Sequence, residues 1–441
     1  MKKLLLLTAI VFAGIYSAKA THLMGGEITV QDLGNGTHMI TLIAYRDTVG
    51  IPMTTSATFK FAGPNNQSFS TSAPYDSIIS GNLLPMYPYG VEIYLFIDTV
   101  TFPSPGTWNI SWINCCRNAA IQNLSNPLSE SMLLQTELVV DTASVNSTPF
   151  FLVPAAIFLP LNTPWQYNPL PFDPDGDSLH WSLDQPLDDI NKYCAGYTAP
   201  PSDTNNVFRI DPVTGTISWT ANMVGNFVAS ILVDQYRNGV WVGEIRRDMQ
   251  FIVVDPKNGF PQWANLSMLP TDTNNNYSFD LIAGQGFKLE MIATHTDSSR
   301  AVYMDAYSEV FKIAQNNASF ITSATSNPNE LKGTFTWNPT KNDIRTKPYL
   351  VVFRASDRYF TDDKSVKLNI VSAVSNPEFN LESNFSIYPN PAKNLVHLDF
   401  TGSKAQKISL NVYTLNGKQV IDNRKLDAIN GKSLFILNTT D

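Results

Sequence analysis

Gly26-Glu27-Ile28-Thr29-Val30-Gln31-Asp32-Leu33-Gly34-Asn35-Gly36-Thr37-His38-Met39-Ile40-Thr41-Leu42-Ile43-Ala44-Tyr45 decides the fold class of this chain. Ile28/Val30 and Ile40/Leu42/Ala44 recur at every second position on either side of Asn35-Gly36. Asn-Gly between alternating runs marks a tight β-hairpin, whose turn needs positive φ at its central residues. Similar runs follow at Ala57–Phe61, Val91–Ile97 and Thr107–Ile113, and no long segment shows a 3.6-residue apolar period. Residues 21–145 therefore read as an N-terminal β-sandwich of an all-β protein.

Composition agrees with that reading. The 441 residues suffice for roughly three domains, and 43% hydrophobic residues suffice for a core in each. Only 15% are charged, against roughly 25% in an average soluble domain. The 23 glycines and 28 prolines are spread along the chain, as many short strands and turns require. A net charge of −8, with no basic run beyond Arg246-Arg247, excludes a nucleic-acid footprint.

The first twenty residues read as a signal peptide. Lys2-Lys3 precede an apolar stretch from Leu4 to Ala18, and Ala18-Lys19-Ala20 is a small-x-small cleavage site that places the new N-terminus after Ala20, at Thr21. No later segment is apolar for eighteen residues, so the mature chain is expected to lack a stable transmembrane segment. The cysteines number three, Cys115, Cys116 and Cys194. Adjacent Cα atoms lie about 3.8 Å apart, whereas a disulfide prefers roughly 4.4–6.8 Å. Free or partly paired structural thiols are therefore expected.

Residues 146–256 and 257–374 read as two copies of one module. The first contains Asp173-Pro174-Asp175-Gly176-Asp177, Thr216-Ile217-Ser218-Trp219 and Ile231-Leu232-Val233-Asp234; the second contains Thr294-His295-Thr296-Asp297, Thr334-Phe335-Thr336-Trp337 and Phe353-Arg354-Ala355-Ser356-Asp357. Trp219 lies 42 residues after Asp177, and Trp337 lies 40 after Asp297. These modules resemble the cadherin-like and immunoglobulin-like repeats of bacterial surface proteins, in which such an Asp-rich turn often binds calcium near a domain junction. Three carboxylates at i, i+2 and i+4 on a Gly-containing turn can converge on Ca²⁺, which takes six to eight oxygens. Asp173, Asp175 and Asp177, joined by Asp234, are the expected ligands. The competing reading is a tight turn in which Asp side chains accept backbone N–H groups and Gly takes positive φ.

Residues 375–441 carry the most specific pattern. Tyr388-Pro389-Asn390-Pro391-Ala392, the runs Leu395–Phe400 and Ile408–Tyr413, and Leu415-Asn416-Gly417-Lys418 strongly resemble the C-terminal type A sorting domain of Bacteroidota type IX secretion substrates. That resemblance implies a small β-sandwich read by the type IX translocon, and export through the periplasm to the outer cell surface or medium. Members usually continue past a strand like Ser433–Leu437 into a Gly-x-Tyr strand and a basic strand, so the module is expected to be truncated. At the other end, Thr21-His22-Leu23-Met24-Gly25-Gly26-Glu27-Ile28-Thr29, Leu42-Ile43-Ala44-Tyr45-Arg46-Asp47 and Cys115-Cys116-Arg117-Asn118 resemble the opening domain of gliding-motility and adhesin-like surface proteins. Relatives tend to carry cysteines where this chain has Thr48 and Gly90.

The sequence holds no Gly-x-Ser-x-Gly elbow, His-Glu-x-x-His motif or P-loop. A non-enzymatic, adhesin-like surface protein that meets a glycan or protein ligand is the expected function. The alternative is a polysaccharide-acting enzyme or carbohydrate-binding accessory protein, using Trp165, Trp181 or Trp241 as sugar platforms.

Overall fold

The computed structural model describes residues 23–48, 52–80, 90–141, 143–155, 158–257, 259–313, 316–357, 359–372, 384–402, 406–414, 418–428 and 431–438. The expected signal peptide, with Ala20 and Thr21, lies outside them. The protein is all-β: among the described residues, helical structure is confined to short 3-10 turns, and no helix is long and apolar enough to cross a membrane. One compact unit ends at Val371 and a second begins at Ser372.

The Leu23–Gly34 and Thr37–Asp47 strands form the expected hairpin, with Asn35 and Gly36 at φ 55° and 73°. They begin a series of seven antiparallel strands. In spatial order the series continues with Val91–Thr101, Ser68–Ser80, Ser56–Ala62, Gly106–Cys115 and Ser131–Val140. Alternation sends Ile40, Leu42, Phe59, Phe61, Phe96 and Trp108 into a common core. Fully burying an apolar side chain of this kind contributes roughly 1.5–3 kcal/mol.

Both ends of that series pair with a single strand, Val240–Val254. Gly25 and Gly26 oppose Met249 and Asp248, while Leu138, Glu137 and Thr136 oppose Gly243, Glu244 and Ile245. The strand that closes the ring belongs to the next expected module, so the pairing bridges the 145/146 boundary. Gly25 makes this crossing possible, and Gly26 lets the strand lie close to its hairpin partner. A Cβ on Gly25, whose φ is +145°, would lie 2.2 Å from the Asp248 carbonyl oxygen, and one on Gly26 would lie 2.4 Å from that of Ile43.

The two modules read as copies share a strand order. In the first, Ser178–Asp184, Gly225–Arg237 and Val240–Val254 pair antiparallel, and Phe158–Pro160 adds in parallel. In the second, Tyr303–Tyr307, Tyr349–Ser356 and Thr361–Val371 do the same, with Tyr277–Ile282 as the parallel strand. Opposite each sheet lies another in which the tryptophan strand, Ile217–Trp219 or Glu330–Trp337, is flanked on both sides. Trp219 and Trp337 fill the cores and donate their indole N–H to the carbonyls of Pro201 and Asn316.

In the second unit, Asn384–Tyr388, Leu395–Gly402 and Gly431–Asn438 form a three-stranded sheet, and Gln406–Tyr413 pairs with Gln419–Ala428. Leu398, Phe400, Ala428 and Leu437 are buried, and Ile408, Leu410 and Val412 lie on one half-buried face of their strand.

The cysteines are partly paired, and the departure from expectation is that the pair is between neighbours. Cys115 and Cys116 are joined to each other, and Cys194 is free and buried. Burial pushes the Cys194 thiol up to about 12.

Candidate functional site

Asp173 to Asp177 forms a tight turn leading into the Ser178–Asp184 strand. Oδ1 of Asp173 accepts the backbone N–H groups of Asp175 and Asp177 at 2.9 and 3.0 Å, and Gly176 takes φ 85°. The turn lies against the segment linking the first two modules. Asp175 Oδ2 accepts from the Ser147 N–H at 2.6 Å. Asp177 accepts from Gln235 Nε2 at 2.7 Å and takes a fork from Arg237, Nε to Oδ1 at 2.8 Å and Nη2 to Oδ2 at 2.6 Å. The same Arg237 and Gln235 reach the linker: Arg237 donates to the Val145 carbonyl at 2.8 Å, and Gln235 to the Ser147 carbonyl at 2.9 Å.

Asp173, Asp175 and Asp177 are thus brought together, and Asp234 is not. Asp234 and Gln235 are neighbours on one strand and point to opposite faces. Gln235 meets Asp177, while Asp234 accepts from the indole N–H of Trp241 at 3.0 Å. Arg237 is the residue that sequence reasoning missed. Only the pairing of Ser178 with Tyr236 places it beside Asp177.

These residues do not fit a calcium site. Ca²⁺ needs six to eight oxygen donors, and both Asp177 oxygens are held by a guanidinium that would repel a dication. One buried oxygen of the turn, Asp173 Oδ2, has no partner. Burial above all, then the neighbouring Asp177 and Asp175 charges, push the Asp173 carboxyl up to about 6, against the two N–H bonds it accepts. Among the described residues no group of three His, Cys, Asp or Glu side chains is arranged to hold a metal.

Buried cations also tie the modules together. Arg117 forks onto Asp248, and Arg247 forks onto Glu27 while donating to Tyr167 Oη at 2.8 Å and the Val153 carbonyl at 3.2 Å. At the next boundary Arg354 holds Asp363 at 2.7 and 2.9 Å and reaches the Pro154 carbonyl at 3.0 Å. The backbone N–H groups of Gln166 and Asn168 donate to Asp362 and Asp363 at 3.0 and 3.1 Å.

Trp165 and Trp181 are buried core residues, and Trp241 is half-buried with its N–H on Asp234. Beside it, Asp234, Glu244 and Glu137 stand in cross-strand register. Burial, and then the charges of Asp234, Glu137 and Asp184, raise Glu244 to about 7, although Arg246 opposes the shift.

In the second unit, Tyr388 ends the first strand opposite His397, and their rings stack at 5.3 Å. Pro389, Asn390, Pro391 and Ala392 follow in a bend that leads to the Leu395–Gly402 strand.

No curated protein matches the chain. Solved structures with loose similarity include the endo-fucoidan hydrolase MfFcnA4 from glycoside hydrolase family 107, at 10% identity and TM-score 0.18, covering 68% of this chain and 39% of that one. They also include the ICAM-5 D1-D4 ectodomain fragment, at 10% identity and TM-score 0.19, covering 92% and 95%. The D1-D2 structure of Rst aligns at 8% identity and TM-score 0.18, covering 51% and 100%. The chain thus spans about two fifths of the hydrolase, and likeness at these scores carries no argument about activity.

Residues 386–440 match the family model described as the secretion system C-terminal sorting domain. That stretch begins two residues before Tyr388 and takes in the three-stranded sheet from Ser386 onward, together with its companion hairpin. The sorting domain over these residues indicates export through the type IX secretion system to the cell surface or the extracellular space.

Proposed function

We propose that this chain is a non-enzymatic, adhesin-like surface protein whose first three modules act as one stiff body presenting a binding face to a glycan or protein. The observation that carries this reading is the use made of its arginines. Arg117 and Arg247 fork onto Asp248 and Glu27 of the neighbouring module, while Arg237 and Arg354, fixed by Asp177 and Asp363 of their own modules, reach the Val145 and Pro154 carbonyls across the boundary. Such pairs contribute little net stability, but breaking one is costly, so they resist relative movement of the parts they join. A protein anchored at one end and loaded at the other requires that resistance. Burial of Trp165 and Trp181 removes two of the expected sugar platforms and weakens the enzyme alternative.

The test compares a deletion strain with its complemented parent for attachment to polysaccharide-coated and protein-coated surfaces, alongside incubation of the purified chain with those polysaccharides. Loss of attachment with no release of reducing ends is expected. Release of reducing ends that disappears in Glu244→Gln would replace this reading with the enzymatic one.

A further inference from the structure

A polar cleft of about 460 Å³ opens where the first repeated module meets the second. Its size falls within the roughly 300–1,000 Å³ typical of small-ligand sites. One wall is the three-stranded sheet of Trp165–Tyr167, Ile217–Trp219 and Arg209–Ile210. Gln166 pairs with Ser218, and Ser218 with Arg209, so the three form a cross-strand row. Their neighbours Trp165, Tyr167, Ile217 and Trp219 are buried. Alternation therefore turns Gln166, Ser218 and Arg209 away from the core and into the cleft.

The facing wall is the turn Asn274-Asn275-Asn276, with Tyr277 after it. This turn is held in place. Asp272 Oδ1 accepts the N–H groups of Asn274 and Asn276 at 2.8 and 3.0 Å, and its Oδ2 accepts from Lys367 Nζ at 2.7 Å. The side-chain nitrogen of Asn276 is buried with no partner. The walls are fixed to each other by Gln166 N–H on Asp362 and Asn168 Nδ2 on Ser365 Oγ at 2.8 Å.

The charges in the cleft are unequal in availability. Asp211 turns Oδ1 into its own loop, accepting from Val213 N–H, Thr214 N–H and Thr214 Oγ1. Arg209 is exposed and forms no ion pair among the described residues. A free planar guanidinium takes a carboxylate or sulfate with two parallel N–H bonds. Amides and a hydroxyl around it both donate and accept, which suits a ligand bearing many hydroxyl groups.

We infer that this cleft binds an acidic saccharide, with Arg209 on the carboxylate or sulfate and Gln166, Ser218, Asn274 and Asn276 on ring hydroxyls. Tyr277 supplies an aromatic face at one side. The inference rests on the surface-binding reading above and names the ligand class for it.

The experiment uses the full chain in calorimetric titrations with tetragalacturonate, a chondroitin sulfate tetrasaccharide and neutral cellotetraose. At least one acidic probe should bind tenfold or more tightly than cellotetraose, and that preference should collapse in Arg209→Gln. Because Arg209 is exposed and unpaired, circular dichroism of this variant should match the parent. A second variant, Asn274→Ala, should weaken the acidic probe several-fold without changing the salt dependence of binding. Failure of both acidic probes to outbind cellotetraose, or parental affinity in Arg209→Gln, overturns the assignment. If the deletion strain loses attachment but cells carrying Arg209→Gln keep it, the cleft assignment falls and the adhesin-like reading stands. If Arg209-dependent binding is present but deletion leaves attachment intact, the adhesin-like reading falls and the cleft assignment stands.

Discussion

Arg117 forks onto Asp248 across 131 residues of sequence, Nη1 to Oδ1 at 3.1 Å and Nη2 to Oδ2 at 2.6 Å, with both side chains buried. Its Nε and Nη2 also hold the carbonyls of Ser131 and Leu187 at 3.1 Å. Removing one partner of such a pair leaves an uncompensated buried charge, which costs about 3–5 kcal/mol. Arg117→Met should lower the urea midpoint accordingly, and Arg117→Met with Asp248→Leu should recover part of the loss. A midpoint unchanged in the single variant would show that the pair is not formed.

Gly25 lets the first strand cross Val240–Val254 at contact distance, and Gly26 lets the same strand lie against Ile43 of its hairpin partner. Any Cβ there meets a backbone carbonyl, and overpacking of this kind costs about 1–3 kcal/mol. Gly25→Ala should cost more than that, because its φ of +145° is also one that L side chains rarely adopt. Thermal melts of Gly25→Ala and of Gly34→Ala, where a Cβ meets nothing within 4 Å, separate the two effects. Equal losses would mean that only backbone conformation matters at Gly25.

The contributions of Asp173 and Glu244 to stability should fall as pH rises from about 4 to about 7. Asp173 at about 6 and Glu244 at about 7 both lie above the carboxylates' ordinary values. The folded state therefore holds these protons more tightly than the unfolded one, and the contribution present below about 4 is lost as pH rises through the folded values. Glu244→Gln should flatten the profile and raise stability at pH 8, on the order of 2 kcal/mol. Chemical denaturation at pH 4.5 and pH 8 checks both the sign and the size.

Millimolar Ca²⁺ should leave the melting temperature of the full chain unchanged, because Arg237 already neutralises Asp177. Arg237→Gln should lower it by an amount set by the lost fork and the lost contacts with Val145 and Asn146. A calcium-dependent rise of several degrees in the parent chain would show that the Asp173–Asp177 turn takes an ion after all.

Deleting residues 386–440 should leave the rest of the chain in the periplasm. Fractionation of the native host, probed with an antibody to the first unit, reads the outcome directly. Equal surface display with and without these residues would break the link between the sorting domain and export.

The local pattern made much of this protein legible. Asn35-Gly36 between alternating runs announced its hairpin, Trp219 and Trp337 marked corresponding strands of two modules, and Tyr388-Pro389-Asn390-Pro391 marked the sorting domain. Asp173 to Asp177 was readable as a turn, with calcium and a simple tight turn both open. The partner that Asp177 takes, Arg237, lies 60 residues away, and nothing near it in sequence marks it as a partner. The requirement for glycine at position 25 comes from the Asp248 carbonyl on a distant strand, which nothing near Gly25 in sequence announces.

What the sequence by itself determined was the all-β class, the hairpin at Asn35-Gly36 and the address carried at the C-terminus. Each depends on residues within a few positions of one another, where alternation and turn chemistry operate. Only the tertiary structure decided that Val240–Val254 closes the N-terminal ring, that guanidinium groups fasten the modules, and that Arg209 faces an asparagine turn across a cleft. Those are matters of strand partner and register, and a strand's own pattern specifies which face is apolar without specifying which distant strand it will meet.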